Sequence, residues 1–272
     1  MFDVATSQAS KLINLTNRVK NSYSKTKLLT ITSGKGGVGK STITANMAFL
    51  LARRGFSVAV LDADIGLANM QVLFDVKPQN TFFEYINGLK TLDEVITKTS
   101  YENVYLIAGK SGYQYAQSSN NFVFSRIIHD LQALNRFDIL LVDTGAGLNE
   151  YVKEFLSVSD NVLAITTTDP SALTDVYSLI KMLSIDKNKL MLCFNHTKNY
   201  QIGETIANSL INLGKKNMLK KDFMVEYIGN VSSSANVATT GRLRKLFVNE
   251  FLTDEVTREL HLIIDKLLHN IH

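Results

Sequence analysis

The sequence has little of several residue types, and each shortage excludes a class of protein. Cys193 is the single cysteine in 272 residues, so a disulfide within the chain is impossible. The five histidines show no metal-ligand spacing, so we expect no metal site built from cysteine and histidine. No apolar run reaches the roughly 18 residues that a membrane-spanning helix needs. The N-terminus lacks the apolar segment of a secretory signal, so we expect a cytoplasmic protein.

The net charge is small and unevenly placed. The chain carries a formal charge of +4, and residues 1–27 hold five basic side chains against Asp3 alone. The remainder is close to neutral. A basic surface for nucleic acid is therefore not expected on the body of the protein.

Short β-rich runs alternate with helical patterns, which predicts an α/β fold with a doubly wound, mostly parallel sheet and helices on both faces. The predicted strands are 28–32, 57–63, 104–109, 137–144, 161–167, 189–195 and 224–230. The predicted helices are 40–54, 81–88, 120–135, 149–157, 171–184, 203–217 and 253–270. We predict a single domain over residues 27–272, preceded by a basic leader, residues 1–26, with a short helix.

A glycine-rich loop, residues 34–41, matches the phosphate-binding pattern G-x-x-x-x-G-K-[ST]. It follows a predicted strand and opens a predicted helix, so backbone N–H groups and the positive helix end point at one spot. Lys40 is expected to reach the β- and γ-phosphates, Ser41 to ligate Mg²⁺ and Thr42 to contact the α-phosphate. The rest of the predicted nucleotide loop is Gly34, Lys35, Gly36, Gly37, Val38 and Gly39.

Carboxylates follow two further strands. Asp143 ends one of them and is expected to be the second magnesium partner, and Gly145 or Gly147 behind it could contact the γ-phosphate and move when it leaves. Asp62 and Asp64 end another strand. Because ligands gather at the carboxyl ends of parallel strands, both should lie beside the loop.

The second lysine of the loop, Lys35, makes this a deviant Walker A motif. With DADIGLANMQVLF (62–74) and DTGAG (143–147), it resembles the MinD/ParA family of P-loop ATPases, of the SIMIBI class, over nearly all of residues 27–272. The resemblance implies hydrolysis of ATP to ADP and phosphate, and a homodimer of ATP-bound subunits in which Lys35 reaches the partner's phosphates. It also implies that Asp64 orients the attacking water, that Asp175 can pair with Lys35, and that Asn195 holds adenine.

Within that family the sequence is most similar to the flagellar branch (FlhG, FleN or YlxH-like), which regulates flagellar number and placement. The stretch 166–183 carries this resemblance, and so does SQASKLI (7–13), which keeps Gln8, Ala9 and Leu12 of the branch's leader motif. Ser7 and Ile13 depart from that motif. The resemblance implies partnership with FlhF, a GTPase of the signal-recognition type, and contact with flagellar switch (C-ring) proteins.

Two alternatives stay open within the family. One is a MinD-type division-site ATPase, although MinD lacks so long a leader. The other is a ParA-type DNA-partitioning ATPase, which would need a basic surface to bind DNA. The only basic cluster in the sequence of the body is Lys215, Lys216, Lys220 and Lys221. Iron–sulfur carriers with a similar loop need more cysteines than Cys193.

The predicted C-terminal helix 253–270 has a long apolar stripe and an acidic polar side. A helix that lies on a membrane usually presents lysine and arginine. We therefore expect this helix to pack on the body of the protein. Peripheral attachment to the inner face of the cell membrane is the alternative.

Overall fold

The computed structural model describes residues 25–64, 69–109, 123–197, 200–216 and 222–271. Most of the predicted leader, with Gln8, Ala9 and Leu12, lies outside the described residues, as do Lys220 and Lys221 of the basic cluster.

Eight strands form one sheet in the order β3-β4-β2-β5-β1-β6-β7-β8. All neighbours pair in parallel except β3 and β4, which are antiparallel. The strands are β1 (Lys27–Ser33), β2 (Val58–Ala63), β3 (Ile96–Lys98), β4 (Val104–Ile107), β5 (Ile139–Ala146), β6 (Asn161–Thr166), β7 (Lys189–Thr197) and β8 (Met224–Ser232). The predicted doubly wound, mostly parallel α/β fold is confirmed.

Helices cover both faces of the sheet. Those of the described residues are α1 (Lys40–Arg53), α2 (Met70–Leu73), α3 (Phe82–Ile86), α4 (Leu92–Val95), α5 (Val123–Ala133), α6 (Glu150–Val158), α7 (Pro170–Asp186), α8 (Tyr200–Lys216), α9 (Ala235–Arg242), α10 (Phe247–Glu250) and α11 (Glu255–Asn270). The strand β3 and the helices α2, α4, α9 and α10 were not predicted. The strand β3 and the helices α2, α4 and α10 have only three or four residues, too few to show a period. The helix α9 has eight residues but contains Gly241 and two adjacent threonines, which form helices poorly.

The central strands are nearly continuous apolar runs because both of their sides are covered. On β1, Leu29 and Ile31 pack with α1 and α11 in one hydrophobic cluster, whereas Leu28 faces a second cluster on the other side of the sheet. The parallel pairing of β1, β2, β5, β6 and β7 places their carboxyl ends at one edge of the sheet, where the loops that follow them converge.

The C-terminal helix packs on the body, as expected. Its apolar stripe enters the same cluster as α1, and the buried members are Val256, Leu260, Ile263, Ile264 and Leu267. Glu259 fastens the helix to β8, since its carboxylate accepts hydrogen bonds from the backbone N–H and the hydroxyl of Ser232, each at 2.7 Å. No helix in the described part of the chain is long and apolar enough to cross a bilayer.

Candidate nucleotide-binding site

The glycine-rich loop runs from the end of β1 at Ser33 to the start of α1 at Lys40. Gly37 and Gly39 have φ angles of +79° and +86°, which side chains with a Cβ rarely adopt. Gly34 lies against the backbone of Asp175. A Cβ added to Gly34 would come within 2.7 Å of the backbone carbonyl carbon of Asp175. The loop thus has the tight backbone that brings N–H groups and a helix N-terminus to one point, which suits a phosphate.

Lys40, Ser41 and Asp143 form one contact network at the base of the loop. Lys40 Nζ lies 2.9 Å from Asp143 Oδ1, and Ser41 Oγ donates to Asp143 Oδ2 over 2.6 Å. Thr44, one turn further along α1, places its hydroxyl 3.1 Å from Asp143 Oδ1. The structure therefore brings together the predicted phosphate-binding lysine and the two predicted magnesium partners.

The residues at this point fit a magnesium ion. One carboxylate and one hydroxyl meet beside the loop, and Mg²⁺ prefers oxygen ligands, using few protein groups together with phosphates and water. No group of three or more histidine, cysteine, aspartate or glutamate side chains is found in the described ranges that could bind a metal without such help. Ser41 and Asp143 would hold the ion, and its charge would neutralise that of the phosphates.

Asp62 and Asp64 lie at the end of β2, which pairs with β5 on the side opposite to β1. Asp62 is the strand neighbour of Asp143, and it accepts backbone N–H groups from Met70 at 3.0 Å and from Asp64 at 3.3 Å. Asp64 Oδ1 lies 3.5 Å from the point that a Cβ on Gly145 would occupy, so its carboxylate adjoins the DTGAG segment. The predicted catalytic aspartate and the predicted γ-phosphate contact are thus neighbours.

Gly147 closes this segment onto β1. It has a φ angle of +84°, and its N–H donates to the carbonyl of Ser33 over 2.9 Å. The DTGAG segment, which is expected to contact the γ-phosphate, is therefore hydrogen-bonded to Ser33, the residue before the phosphate loop.

The two lysines of the loop point to different places. Lys40 is buried beside Asp143, whereas Lys35 is exposed and donates from Nζ to Ser171 Oγ over 2.7 Å. Ser171 lies in the first turn of α7, one turn before Asp175. The resemblance implies that Asp175 can pair with Lys35; in this structure Asp175 packs on Gly34, and the amine is bound by Ser171 instead.

Asn195 and His196 border the other side of the loop. The Asn195 side chain donates to the carbonyl of Val38 over 2.8 Å, which fixes the loop to β7 and leaves the predicted adenine contact as a prediction. His196 has a φ angle of +56° at an irregularity of the β7–β8 pairing. Its side chain lines a cavity of about 290 Å³ with Lys35, Val38, Thr167 and Asp169.

Three residues of the site were not predicted. Thr44 lies outside the phosphate-binding pattern, which ends at Ser41, although its spacing from Lys40 places it one turn along the same helix face. Ser171 has the same one-turn relation to Asp175. His196 had no signal beyond following Asn195.

Comparison with known proteins agrees with this geometry. A family model described as ParA, NUBPL iron-transfer P-loop NTPase, matches residues 24–268. The chain is 36% identical to the flagellum site-determining protein YlxH of Helicobacter pylori, over 96% of this chain and 91% of that protein. It is 30% identical to the antiactivator FleN of Pseudomonas aeruginosa, over 77% of this chain and 75% of the other.

Solved structures share the fold. The septum site-determining protein MinD of Pyrococcus horikoshii, complexed with Mg-ADP, superposes with a TM-score of 0.75 at 20% identity. The match covers 89% of this chain and 96% of that one.

Proposed function

The chain belongs to the ParA family of P-loop NTPases, and on this premise we propose that it is an ATP-driven, dimerising switch that regulates the number and placement of flagella. It is an ATPase, as members of the family are. The flagellar assignment is carried by one observation, the 36% identity to a flagellum site-determining protein over nearly the full length of both chains.

The proposed dimer is supported by the separation of the two lysines. Lys40 is buried within its own site, whereas Lys35 is exposed on the rim, and its amine donates to a serine hydroxyl at the start of α7. An exposed cation at that place could reach the phosphates of a second subunit. Charge-assisted hydrogen bonds of this kind form only when two ATP-loaded subunits meet, and they weaken when the γ-phosphate leaves.

Hydrolysis is proposed to proceed on Mg·ATP with residues already adjacent to one another. Asp64 would orient the attacking water, Lys40 would stabilise charge on the phosphates, and Ser41 with Asp143 would hold Mg²⁺. Gly145 and Gly147 would contact the γ-phosphate and move when it leaves. Loss of that group would then release the segment and the dimer.

The dimer is tested by light scattering with ATP and Mg²⁺. The parent and Asp64→Ala should dimerise, and Asp64→Ala should stay dimeric because it hydrolyses slowly. Lys35→Ala should remain monomeric. Lys153→Ala, which removes an exposed lysine of α6 paired with Glu150, is the matched control and should dimerise like the parent. A dimeric Lys35→Ala would refute the trans role.

The flagellar role is tested by pull-down with the Asp64→Ala variant and ATP. Capture of an FlhF-type GTPase or of flagellar switch proteins would support the proposal. Capture of DNA or of a division inhibitor instead would favour the ParA-type or MinD-type alternative.

Activation of the GTPase is proposed for the leader. Deletion of residues 1–24, and the single change Gln8→Ala, should abolish stimulation of an FlhF-type GTPase and leave ATP-driven dimerisation intact. Undiminished stimulation by both variants would refute this assignment.

Peripheral membrane attachment through α11 would have to use the outer side of this helix, because its apolar stripe lies in the core. Leu262 is 63% exposed on that side. Sedimentation with anionic vesicles in ATP, comparing the parent with Leu262→Glu, tests this more cleanly than truncation, since removing α11 would also remove buried core residues.

A further inference from the structure

Thr44 holds the carboxylate that is expected to bind magnesium, although it lies outside the phosphate-binding motif. Its hydroxyl is 3.1 Å from Asp143 Oδ1, and its side chain and that of Asp143 are both buried. The two residues are separated by 99 positions in the sequence, so the contact is made only by the packing of α1 against β5.

The Thr44 hydroxyl has one proton and two acceptors within reach. The second acceptor is the carbonyl of Lys40, at 3.0 Å, one helical turn back. In a helix that carbonyl is already the regular acceptor of the Thr44 backbone N–H, so it does not need the hydroxyl. A charged carboxylate gains about twice as much from a donor as a neutral carbonyl does. The proton therefore serves Asp143 better than it serves Lys40.

The other two donors to Asp143 have further partners in the proposed reaction. Asp143 accepts hydrogen bonds from Lys40 Nζ and from Ser41 Oγ as well as from Thr44. Lys40 is expected to turn to the phosphates and Ser41 to Mg²⁺. Of these three donors, Thr44 is then the one that stays bonded to Asp143 when nucleotide and Mg²⁺ bind, and it fixes the orientation of the carboxylate.

We propose that Thr44 is a positioning residue for the magnesium site, acting through Asp143. Hydrogen-bond partners of a metal-ligating carboxylate commonly contribute 10- to 100-fold to metal affinity. This inference rests only on the nucleotide-binding part of the proposed function; neither dimerisation nor the flagellar role enters it.

The test uses Thr44→Val, which keeps the volume and removes the hydroxyl. The affinity of the full chain for a fluorescent ADP is measured with Mg²⁺ and with EDTA, and the ratio of the two dissociation constants gives the gain due to magnesium. We expect Thr44→Val to bind ADP in EDTA as the parent does and to lose roughly 10- to 100-fold of the affinity contributed by magnesium. Thr44→Ser, which restores the hydroxyl, should recover it.

Thr240→Val is the matched control, because Thr240 is a buried threonine in α9 whose hydroxyl donates to the carbonyls of Asn236 and Val237 in its own helix. It should leave the magnesium gain unchanged. An unchanged gain in Thr44→Val, or an equal loss of affinity in Mg²⁺ and in EDTA, would overturn the proposal. Thr44→Ala is judged by the same criteria if Thr44→Val unfolds. Failure of the parent to bind ADP in EDTA and in Mg²⁺ would refute the nucleotide site itself.

Discussion

Asp62 and Asp143 lie directly opposite each other on the adjacent parallel strands β2 and β5, and both side chains are buried. Asp143 has a cation in contact, Lys40, whereas Asp62 accepts backbone N–H groups. Burial, and then the neighbouring charge of Asp143, raise the pKa of Asp62 from its ordinary 3.8 to about 7. Asp143 is therefore suited to bind a cation, whereas Asp62 is suited to hold the backbone at Asp64 and at Met70.

The raised pKa of Asp62 predicts that the contribution of this side chain to the stability of the protein falls as the pH rises. Between about pH 4 and pH 7 the folded state keeps a proton that the unfolded chain has released, so the free energy of unfolding falls across this interval. Asp62→Asn removes this contribution. Relative to the parent, the variant should gain about 1–4 kcal/mol between about pH 5 and pH 8, measured by urea unfolding in EDTA. A constant difference between the two proteins would contradict the assignment.

Gly34→Ala should destabilise the contact between the phosphate loop and α7. A Cβ there would lie 2.6 Å from Asp175 Cβ and 2.7 Å from its carbonyl carbon, so backbone must move. We expect a loss of about 1–3 kcal/mol in the free energy of unfolding, as for other overpacked sites. Gly36→Ala is the control, because its new methyl group would meet nothing closer than Ala146 Cβ at 3.9 Å. Equal stability of the two variants would count against this packing.

Lys187→Met should destabilise the end of α6. Lys187 is buried, and its amine donates to the carbonyls of Ser157 and Ser159 over 2.9 and 2.7 Å. A cation at a helix C-terminus donates hydrogen bonds to carbonyls that lack helical partners, and it interacts favourably with the negative end of the helix dipole. Hydrogen bonds with a charged partner contribute about 1.5–3 kcal/mol each, so a loss of at least this size is expected in thermal or urea unfolding.

Lys181→Met, on the exposed side of α7, is the control for Lys187→Met and should change stability by less than about 0.5 kcal/mol. If the two variants unfold alike, the Lys187 contacts do not stabilise α6.

Local patterns predicted the elements that are long and regular. The helix α1 was placed within one residue, since the loop fixes where it begins and its length covers several turns. The three-residue strand β3 was missed because a strand that short shows no alternation, and it exists only by pairing with β4.

The site was predictable as far as its motifs extend. Lys40, Ser41 and Asp143 were assigned from the phosphate-binding pattern and from the end of a strand, and the structure brings them together. The contact of Lys35 with Ser171 joins positions 136 apart, and no local pattern specifies it. Such contacts depend on how α7 is placed on the sheet, which only the packed fold determines.

Glu259→Ala should loosen α11 at the end that faces β8, without releasing the whole helix. The carboxylate accepts two hydrogen bonds from Ser232, and burial raises its pKa, so it is partly removed from water. Losing it leaves a partly buried N–H without this acceptor, whereas Val256, Leu260 and the later apolar residues stay packed. Amide hydrogen exchange should therefore speed up at Ser232 and in the first turns of α11, and remain slow near Leu267.

Glu255→Ala, in the exposed first turn of the same helix, separates this effect from any change in helix charge. Both variants remove one negative charge from α11, and Glu255 is the one in the first turn, where a negative charge interacts most favourably with the helix dipole. Because only Glu259 contacts Ser232, exchange at Ser232 should change in that variant alone. Equal acceleration at Ser232 in both variants would mean that dipole stabilisation, and not the Glu259 contact, attaches the helix to β8.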